Sequence, residues 1–463
     1  MNAYLLSRSL GSIAPQSLQR AETNRLLHAV QPAPDIRFDG SGDTATSVPT
    51  LTAGRDGTLS DTWAHKAGVN ALVIDRFEGR YLLSGGAESS IILWDLEAAE
   101  NTVKSCVHRP AGVVRPSISS HKFGITQLSF YPFDSLAFLS SSYDHTLKIY
   151  STGTLSASAS FDLNSVVYSH SLSPIADHLL VACATQHPAV RLIDLRTGAS
   201  AHSLAGHHGA VLSVAWSPRD EYILASGGSD GTVRLWDIRR SSGCLGVLDL
   251  EDSVGVGGED GLGKNVRLRE RGKAHVGACN GVVWTDSGHK LITAGHDERV
   301  RVWDTATGAN TLSHFGPIVK NTHLSALLPL VVPSSVTPAG QHVMFYPNEK
   351  EILMFDLFNG TLKKRLRVPG VAIAQALGSG GQRNIRNRIT SLAWRPGNVE
   401  MYSASSDGTI RAWMPRTRDD ADVEEEEAKE ASGGDDEDES RKRKREALDT
   451  VYRDLTRQKI TFN

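Results

Sequence analysis

The sequence predicts an all-β protein that folds as a seven-bladed β-propeller, and three observations support this prediction. A histidine is followed 28 or 29 positions later by an aromatic residue in four pairs: His65 and Trp94, His121 and Tyr150, His207 and Trp236, His275 and Trp303. A Ser or Thr precedes an acidic residue by four positions in five segments: Ser84/Glu88, Ser140/Asp144, Ser226/Asp230, Thr293/Asp297 and Ser403/Asp407. Short apolar segments separated by polar turns lie between these residues, which is typical of β-strands.

These repeats are of the WD type, since the clearest copy starts at Gly206-His207 and ends at Trp236-Asp237. Two further repeats are weaker and are recognised by strand patterns at 179–182 and 190–194 and at 343–346 and 352–356, and a seventh repeat lies at 389–394 with Trp413. Seven blades of roughly 40–45 residues need about 300 residues. We therefore assign residues 57–415 to the propeller.

The repeated polar residues are predicted to be structural and not catalytic. In each good repeat the histidine, the Ser or Thr, the acidic residue and the tryptophan can form a buried hydrogen-bond chain, because buried polar groups are paired. The residues assigned to this network are His65, His207, Ser226, Asp230, Trp236, His275, Thr293, Asp297, Trp303, Ser403, Asp407 and Trp413.

Ring closure needs a fourth strand for blade seven, because the chain enters an acidic tail soon after Trp413. An unpaired sheet edge would invite aggregation. We predict that residues 58–63 supply this strand. Residues 31–56, rich in Pro, Gly, Ser, Thr and Asp, are interpreted as a linker, and the insertion at 250–272 as an exposed loop.

Residues 1–30 are predicted to form a helical arm of two short helices. Leu5, Leu6 and Leu10 lie on one apolar face before Gly11, and a second segment from Pro15 contains Leu18 and Arg20. Short helices are marginal alone in water, so a disordered tail is the alternative. A tail needs no leucines, which favours an arm that binds a partner.

The charge distribution is uneven although the net charge is only −3. Residues 419–439 carry 13 acidic side chains and one lysine, whereas residues 441–463 carry 8 basic and 3 acidic ones. The remaining body is close to neutral, so charge does not favour direct nucleic-acid binding. We predict that residues 416–463 form a disordered tail and interpret its basic cluster as a nuclear-import signal or a nucleic-acid patch: Arg441, Lys442, Arg443, Lys444 and Arg445.

Other classes of function find little support in the sequence. Four scattered cysteines suggest an intracellular protein with reduced thiols, and no apolar run reaches the 18 residues of a membrane span. Residues 227–231 match the G-x-S-x-G pattern of hydrolases but belong to a blade turn. The histidines lack the paired helical spacing of a metal site. We expect no enzyme activity and no cofactor.

Segments outside the generic repeat resemble the Cockayne syndrome group A family of WD-repeat proteins. The resemblance extends over residues 1 to about 415 and rests on residues 20–23, 78–86, 167–170 with 173–174, 235–244 and 308–312. It implies a substrate receptor of a cullin-4 RING ubiquitin ligase that acts in transcription-coupled nucleotide excision repair in the nucleus.

The resemblance also implies partners and contact residues. The arm, with Leu5, Leu6, Leu10, Leu18 and Arg20, would bind the damage-binding adaptor protein, and Arg239 would assist from the propeller underside. A Cockayne syndrome group B-type translocase and the stalled RNA polymerase II complex would be the substrate side. The alternative is a WD-repeat scaffold of another nuclear complex, such as one on chromatin, without ligase recruitment.

Overall fold

A computed structural model describes residues 6–7, 9–11, 15–40, 63–102, 105–198, 200–240, 243–250, 272–338, 340–368 and 388–416. One helix, α1 (Pro15–Ala29), precedes strands that form seven sheets. The first strands of successive blades lie against one another around a ring. The fold is therefore the seven-bladed all-β propeller that the repeats predict.

Each blade is a sheet whose strands follow one another along the chain, from the centre of the ring outwards. Blade one contains β3 (Val69–Ile74), β4 (Tyr81–Gly86), β5 (Ile91–Thr102) and β6 (Ser105–Val114). Blade two contains β7 (Ile125–Phe130), β8 (Ala137–Ser142), β9 (Thr146–Ser151) and β10 (Ala157–Asp162). Blade three contains β11 (Val167–Leu172), β12 (Leu180–Thr185), β13 (Ala189–Asp194) and β14 (Ser200–Ala205). Blades four and five contain β15 (Val211–Trp216), β16 (Ile223–Gly228), β17 (Val233–Asp237) and β18 (Cys244–Leu248); β19 (Cys279–Trp284), β20 (Lys290–Gly295) and β21 (Arg299–Asp304). Blades six and seven contain β22 (Leu330–Val331), β23 (Val343–Pro347), β24 (Ile352–Asp356) and β25 (Leu362–Leu366); β26 (Ile389–Arg395), β27 (Glu400–Ser405) and β28 (Ile410–Pro415).

The hydrophobic core lies between neighbouring blades. Second strands such as β16 and β27 are buried along almost their whole length because a blade covers each of their faces. One core cluster joins Trp216 and Trp236 of blade four to Val190 of blade three. Each blade therefore depends on its neighbours for burial, and an open ring would expose apolar surface at both ends.

Side chains of the innermost strands also join the blades. The second residue of such a strand donates a hydrogen bond to the first carbonyl of the next blade's innermost strand. Asn70 Nδ2 donates to Ile125 O at 2.9 Å, and Thr126 Oγ1 donates to Val167 O at 2.8 Å. Thr390 of blade seven donates in the same way to Val69 of blade one. These bonds line the central channel and help to close the ring.

The strand that completes blade seven is not the predicted one. Strand β1 (Val30–Ala33) follows directly from α1 and pairs antiparallel with β28, with Val30 opposite Pro415. The prediction that residues 58–63 provide this strand is wrong, because the outer edge of β28 is already occupied. Residues 58–62 themselves lie outside the described part of the chain.

The predicted linker at 31–56 is also wrong over its first residues. Strand β2 (Ile36–Phe38) adds a fifth strand to blade one, parallel to β6. The Phe38 ring is buried, meets Trp94 edge-on at 5.2 Å and stacks on His108 at 4.9 Å. Strand β1 was not recognised in the sequence pattern because it contains Pro32. Proline is nevertheless tolerated at a sheet edge, because it removes only one hydrogen-bond donor.

Candidate protein-docking site

Within the well-formed blades, the repeated polar residues are joined by hydrogen bonds. In blade four, Trp236 Nε1 donates to Ser226 Oγ at 2.7 Å, and Ser226 Oγ lies 2.7 Å from His207 Nε2. His207 Nδ1 lies 3.4 Å from the Asp230 carboxylate, which also accepts from Thr232 Oγ1 at 2.8 Å. Equivalent contacts join His65–Ser84–Trp94, His121–Ser140, His275–Thr293–Trp303 and Ser403–Trp413.

In blades one, two, four and five the acidic turn residue is held in its ionised form. Burial alone would raise the pKa of Glu88, but hydrogen bonds from His65, Ser90 and the Ala67 amide outweigh it. They lower the pKa of Glu88 from 4.5 to about 2. The same balance, dominated by the blade's histidine, lowers the pKa of the corresponding carboxyls Asp144, Asp230 and Asp297. In blade seven, Asp407 accepts from Thr409 Oγ1 at 2.6 Å and Arg411 Nη2 at 3.2 Å.

The replacement Glu88→Gln is expected to flatten the acid dependence of stability. Because Glu88 has a lower pKa in the folded chain than in the unfolded one, the unfolded chain binds more protons as the pH falls. The contribution of the Glu88 carboxylate to stability is complete above pH 4.5 and is lost as the pH falls towards about 2. Urea unfolding at several pH values should show that Glu88→Gln is less stable than the original protein at neutral pH. The difference in the free energy of unfolding should become smaller in acid. A difference that stays constant would contradict this role.

The networks define two faces of the propeller. Successive strands of a blade are antiparallel, so the connecting loops alternate between its two ends. The histidines and the acidic turns lie at one end, which we call the histidine face. The loops after the first and third strands lie at the other end, which we call the Asp237 face.

Arg239 is held rigidly on the Asp237 face. Its Nε and Nη2 atoms each donate to a different oxygen of Asp237 at 3.0 Å, and its guanidinium carbon lies 4.7 Å from the centre of the Tyr222 ring. The side chain is nevertheless 62% exposed. The hydrogen bond from Arg239 lowers the pKa of Asp237, so the pair stays charged. A guanidinium that is already oriented loses little freedom on binding a partner.

Tyr222 is a residue of this site that sequence reasoning missed. It precedes β16, whose first residue pairs with Asp237. In blade one the corresponding position is Arg80, which donates to Asp95 at 2.7 Å. Because Tyr222 occupies that position in blade four, Asp237 is left for Arg239. Comparing this single position across the repeats would have found the difference.

Exposed apolar side chains share the Asp237 face with Arg239. They lie in the loops between the first and second strands of blades one to three: Phe77, Phe133, Leu136 and Ile175. Leu136, for example, is 70% exposed. Large apolar groups beside an ordered arginine are typical of protein interfaces.

The predicted arm divides into an anchored half and an exposed one. Leu27 of α1 is fully buried against blades six and seven, and Asn24 Nδ2 donates to Gln341 Oε1 at 3.3 Å, beside β23 on the Asp237 face. Leu6 and Leu10 are 63% and 74% exposed and belong to a helical turn that ends at Gly11, where φ is +71°.

The other predicted site residues are placed as follows. Arg20 lies in α1 and is half-buried. Leu5, the side chain of Leu18 and the basic cluster at 441–445 lie outside the described residues. Of the helices that the structure describes, none has the length and apolarity to cross a membrane. Over the same described ranges, no group of three or more His, Cys, Asp or Glu residues is arranged to hold a metal ion.

A family model agrees with this architecture. The WD domain, G-beta repeat, matches residues 57–95, 112–151, 198–237, 267–304 and 382–414. The matches include the central strands of blades one, two, four, five and seven, whereas those of blades three and six are the weak repeats of the sequence. Propellers of this kind are typically scaffolds or receptors for other proteins.

Individual relatives point to the same family. The chain is 30% identical to WD repeat-containing protein ATCSA-1 of Arabidopsis thaliana, over 76% of this chain and 86% of that protein. It is 32% identical to ribosome biogenesis protein ytm1 of Aspergillus niger, over 52% and 53% of the two chains. It is 29% identical to radiation-sensitive protein 28 of Saccharomyces cerevisiae, over 40% and 39%. The chain belongs to the WD-repeat family, together with ATCSA-1.

Proposed function

We propose that this protein is the substrate-receptor subunit of a cullin-4 RING ubiquitin ligase in transcription-coupled nucleotide excision repair. The observation that carries the proposal is that Arg239 and the helical arm occupy the same face of the propeller. The similarity to ATCSA-1, which covers most of both chains, and to radiation-sensitive protein 28 supports a role in DNA repair.

In this proposal the Asp237 face binds the damage-binding adaptor protein. Arg239 supplies an oriented cation, and Leu6 and Leu10 supply exposed apolar anchors of the kind that fit a groove on a partner. Because α1 is fixed to blades six and seven through Leu27, the arm starts from a defined position. A preorganised start reduces the entropy that adaptor binding has to overcome.

The opposite, histidine face is then free to hold a substrate. Binding a target there while the adaptor binds the Asp237 face raises the effective concentration of target lysines near the ligase. We propose a Cockayne syndrome group B-type translocase and the stalled RNA polymerase II complex as the substrate side. The basic cluster at 441–445 would direct the protein to the nucleus.

The replacement Arg239→Glu is expected to raise the dissociation constant for the adaptor at least about tenfold, or about 1.4 kcal/mol. It reverses a charge at the proposed interface and repels Asp237, which loses its partner. Arg239 is exposed but its partner Asp237 is buried, so the melting temperature is measured as well, to separate a loss of stability from a loss of docking. Calorimetric titration of the purified protein with the adaptor measures the effect.

Arg240→Glu is the matched control. Arg240 is 63% exposed and lies 3.7 Å from the same Asp237 carboxylate, but it makes no bidentate contact. Equal losses for the two variants would show a general charge effect and contradict a specific docking role. Unchanged affinity in Arg239→Glu, with the arm also truncated before Pro15, would reject adaptor binding through this face.

The alternative is a WD-repeat scaffold of another nuclear complex without ligase recruitment. The similarity to ribosome biogenesis protein ytm1 supports it, although that alignment spans only about half of each chain. A tagged protein that co-purifies with ribosome-assembly or chromatin factors, and not with a cullin, would favour this alternative.

A further inference from the structure

One position on the histidine face is occupied by glycine, alanine or valine in blades one to five and by an arginine in blade seven. The position directly precedes the innermost strand, and its carbonyl accepts a hydrogen bond from the turn between the second and third strands of the same blade. The residues are Gly68, Gly124, Val166, Ala210, Ala278 and Arg388, and each accepts this bond at 2.7–3.2 Å. Because the shared backbone bond makes these positions equivalent, the fold itself needs no long side chain there.

The two glycines at this position have no room for a side chain. A Cβ added to Gly68 would lie 2.8 Å from Ser406 O, and one added to Gly124 would lie 2.8 Å from Ala87 O. Arg388 departs from this pattern of short side chains. Both backbone groups of Arg388 are hydrogen-bonded. The amide donates to Ser406 Oγ at 3.1 Å, and the carbonyl accepts from the Ser406 amide.

Arg388 is half-buried, and two of its three guanidinium nitrogens are buried without a partner. The Nε and Nη1 atoms are inaccessible and have no hydrogen-bond acceptor among the residues that the structure describes. Glu349 acts on it electrostatically but lies beyond ion-pair distance and accepts instead from Thr322 Oγ1 at 3.1 Å. Residues 369–387, which precede it, contain no Asp or Glu. A buried cation without a counter-ion is costly, so an arginine in this state is a candidate binding group.

Arg388 lines a cavity of about 20 Å³ at the histidine end of the central channel. Tyr143 and Tyr168 line the same cavity with their rings edge to face at 6.4 Å, and Asn70 and Thr126 contribute polar groups. Burial lowers the pKa of Arg388 and raises that of Tyr143, although Tyr143 is still 38% exposed. Tyrosine and arginine together are enriched where proteins bind proteins.

We propose that the channel mouth around Arg388 binds a single carboxylate presented by an extended segment of a partner protein. The guanidinium would gain the acceptor that it lacks, and the partner segment would lie across the two tyrosines. The small cavity and the single cation favour a planar two-oxygen group over a tetrahedral phosphate, which binds best among several cations. This site lies opposite Arg239, and its test uses the protein without adaptor, so its failure is separate from that of the proposed function.

The test uses a random-peptide phage library as the probe on the immobilised full-length protein, with Arg388→Gln as the counter-selection. We expect the enriched peptides to share one Asp, Glu or free C-terminus. Amidating the C-terminus or changing the shared acid to its amide then identifies the source of the carboxylate. Arg388→Gln and the change of the peptide acid should each weaken peptide binding about tenfold or more. The two changes together should weaken binding no more than one alone, which would show that Arg388 and the carboxylate interact directly.

Arg367→Gln is the matched control. Arg367 belongs to blade six and, like Arg388, lies on the histidine face, but it is already paired with Glu351 at 2.7 Å. It should leave peptide binding unchanged. The melting temperature of Arg388→Gln should be equal to or above that of the original protein, because an uncompensated charge is removed. The proposal is overturned if every peptide binds Arg388→Gln as tightly as the original protein, or if Arg367→Gln loses as much peptide affinity as Arg388→Gln. It is also overturned if phosphoserine peptides bind better than the same peptides with glutamate.

Discussion

Removal of residues 1–40 is expected to abolish cooperative folding of the propeller. This segment contains the strand β1 that completes blade seven, and it buries Leu27, Val30 and Phe38 almost completely. Burial of each such side chain contributes about 1.5–3 kcal/mol, and a domain has only about 5–15 kcal/mol in total. Circular-dichroism melting and gel filtration should show an aggregating product without a sharp transition.

Removal of residues 1–11 is the control for this truncation. It deletes Leu6 and Leu10, which are exposed, and leaves α1 in place. This shorter protein should melt like the full chain and should lose only adaptor affinity. A cooperative transition at the original temperature after removal of residues 1–40 would mean that β1 does not close the ring.

The replacement Thr293→Val is expected to cost about 2–4 kcal/mol of the free energy of unfolding, since a buried polar group left unpaired costs about 1–3 kcal/mol. Thr293 Oγ1 accepts from Trp303 Nε1 at 2.9 Å and lies 2.8 Å from His275 Nε2. Burial lowers the pKa of His275, so its neutral ring needs this hydroxyl as a donor. Valine keeps the shape but removes both bonds. Urea unfolding followed by tryptophan fluorescence measures the loss.

The exposed Thr361 provides the matched control, because Thr361→Val makes the same chemical change at the surface. Its cost should stay within about 0.5 kcal/mol, as is usual for surface substitutions. If Thr293→Val cost no more than Thr361→Val, the hydroxyl would not be the centre of the blade network.

The role that we propose for the Asp237 face involves a residue that the repeat does not predict. The Trp-Asp-x-Arg segment at 236–239 is visible in the sequence, but Arg239 is oriented by Asp237 and also by Tyr222, which directly precedes the neighbouring strand β16. Without Tyr222 the same motif would describe a mobile surface arginine. Identification of Arg239 as a docking candidate is therefore stronger from the structure than from the motif.

The sequence alone determined the number of blades and most of their strands. Blade six was recognised from 343–346 and 352–356, which lie within β23 and β24. This was possible because each blade is held by contacts between residues fewer than about thirty positions apart, such as His275 and Trp303. Those contacts recur from blade to blade, so they leave a period in the sequence.

Only the tertiary structure decided how the ring closes and which arginines are available to partners. Val30 pairs with Pro415, and Arg388 faces a channel shared with residues from other blades. Each of these contacts joins distant parts of the chain and occurs once, so it produces no repeat. A pattern in the sequence records interactions that are local or repeated, whereas closure and an unpartnered side chain follow from the packing of the whole ring.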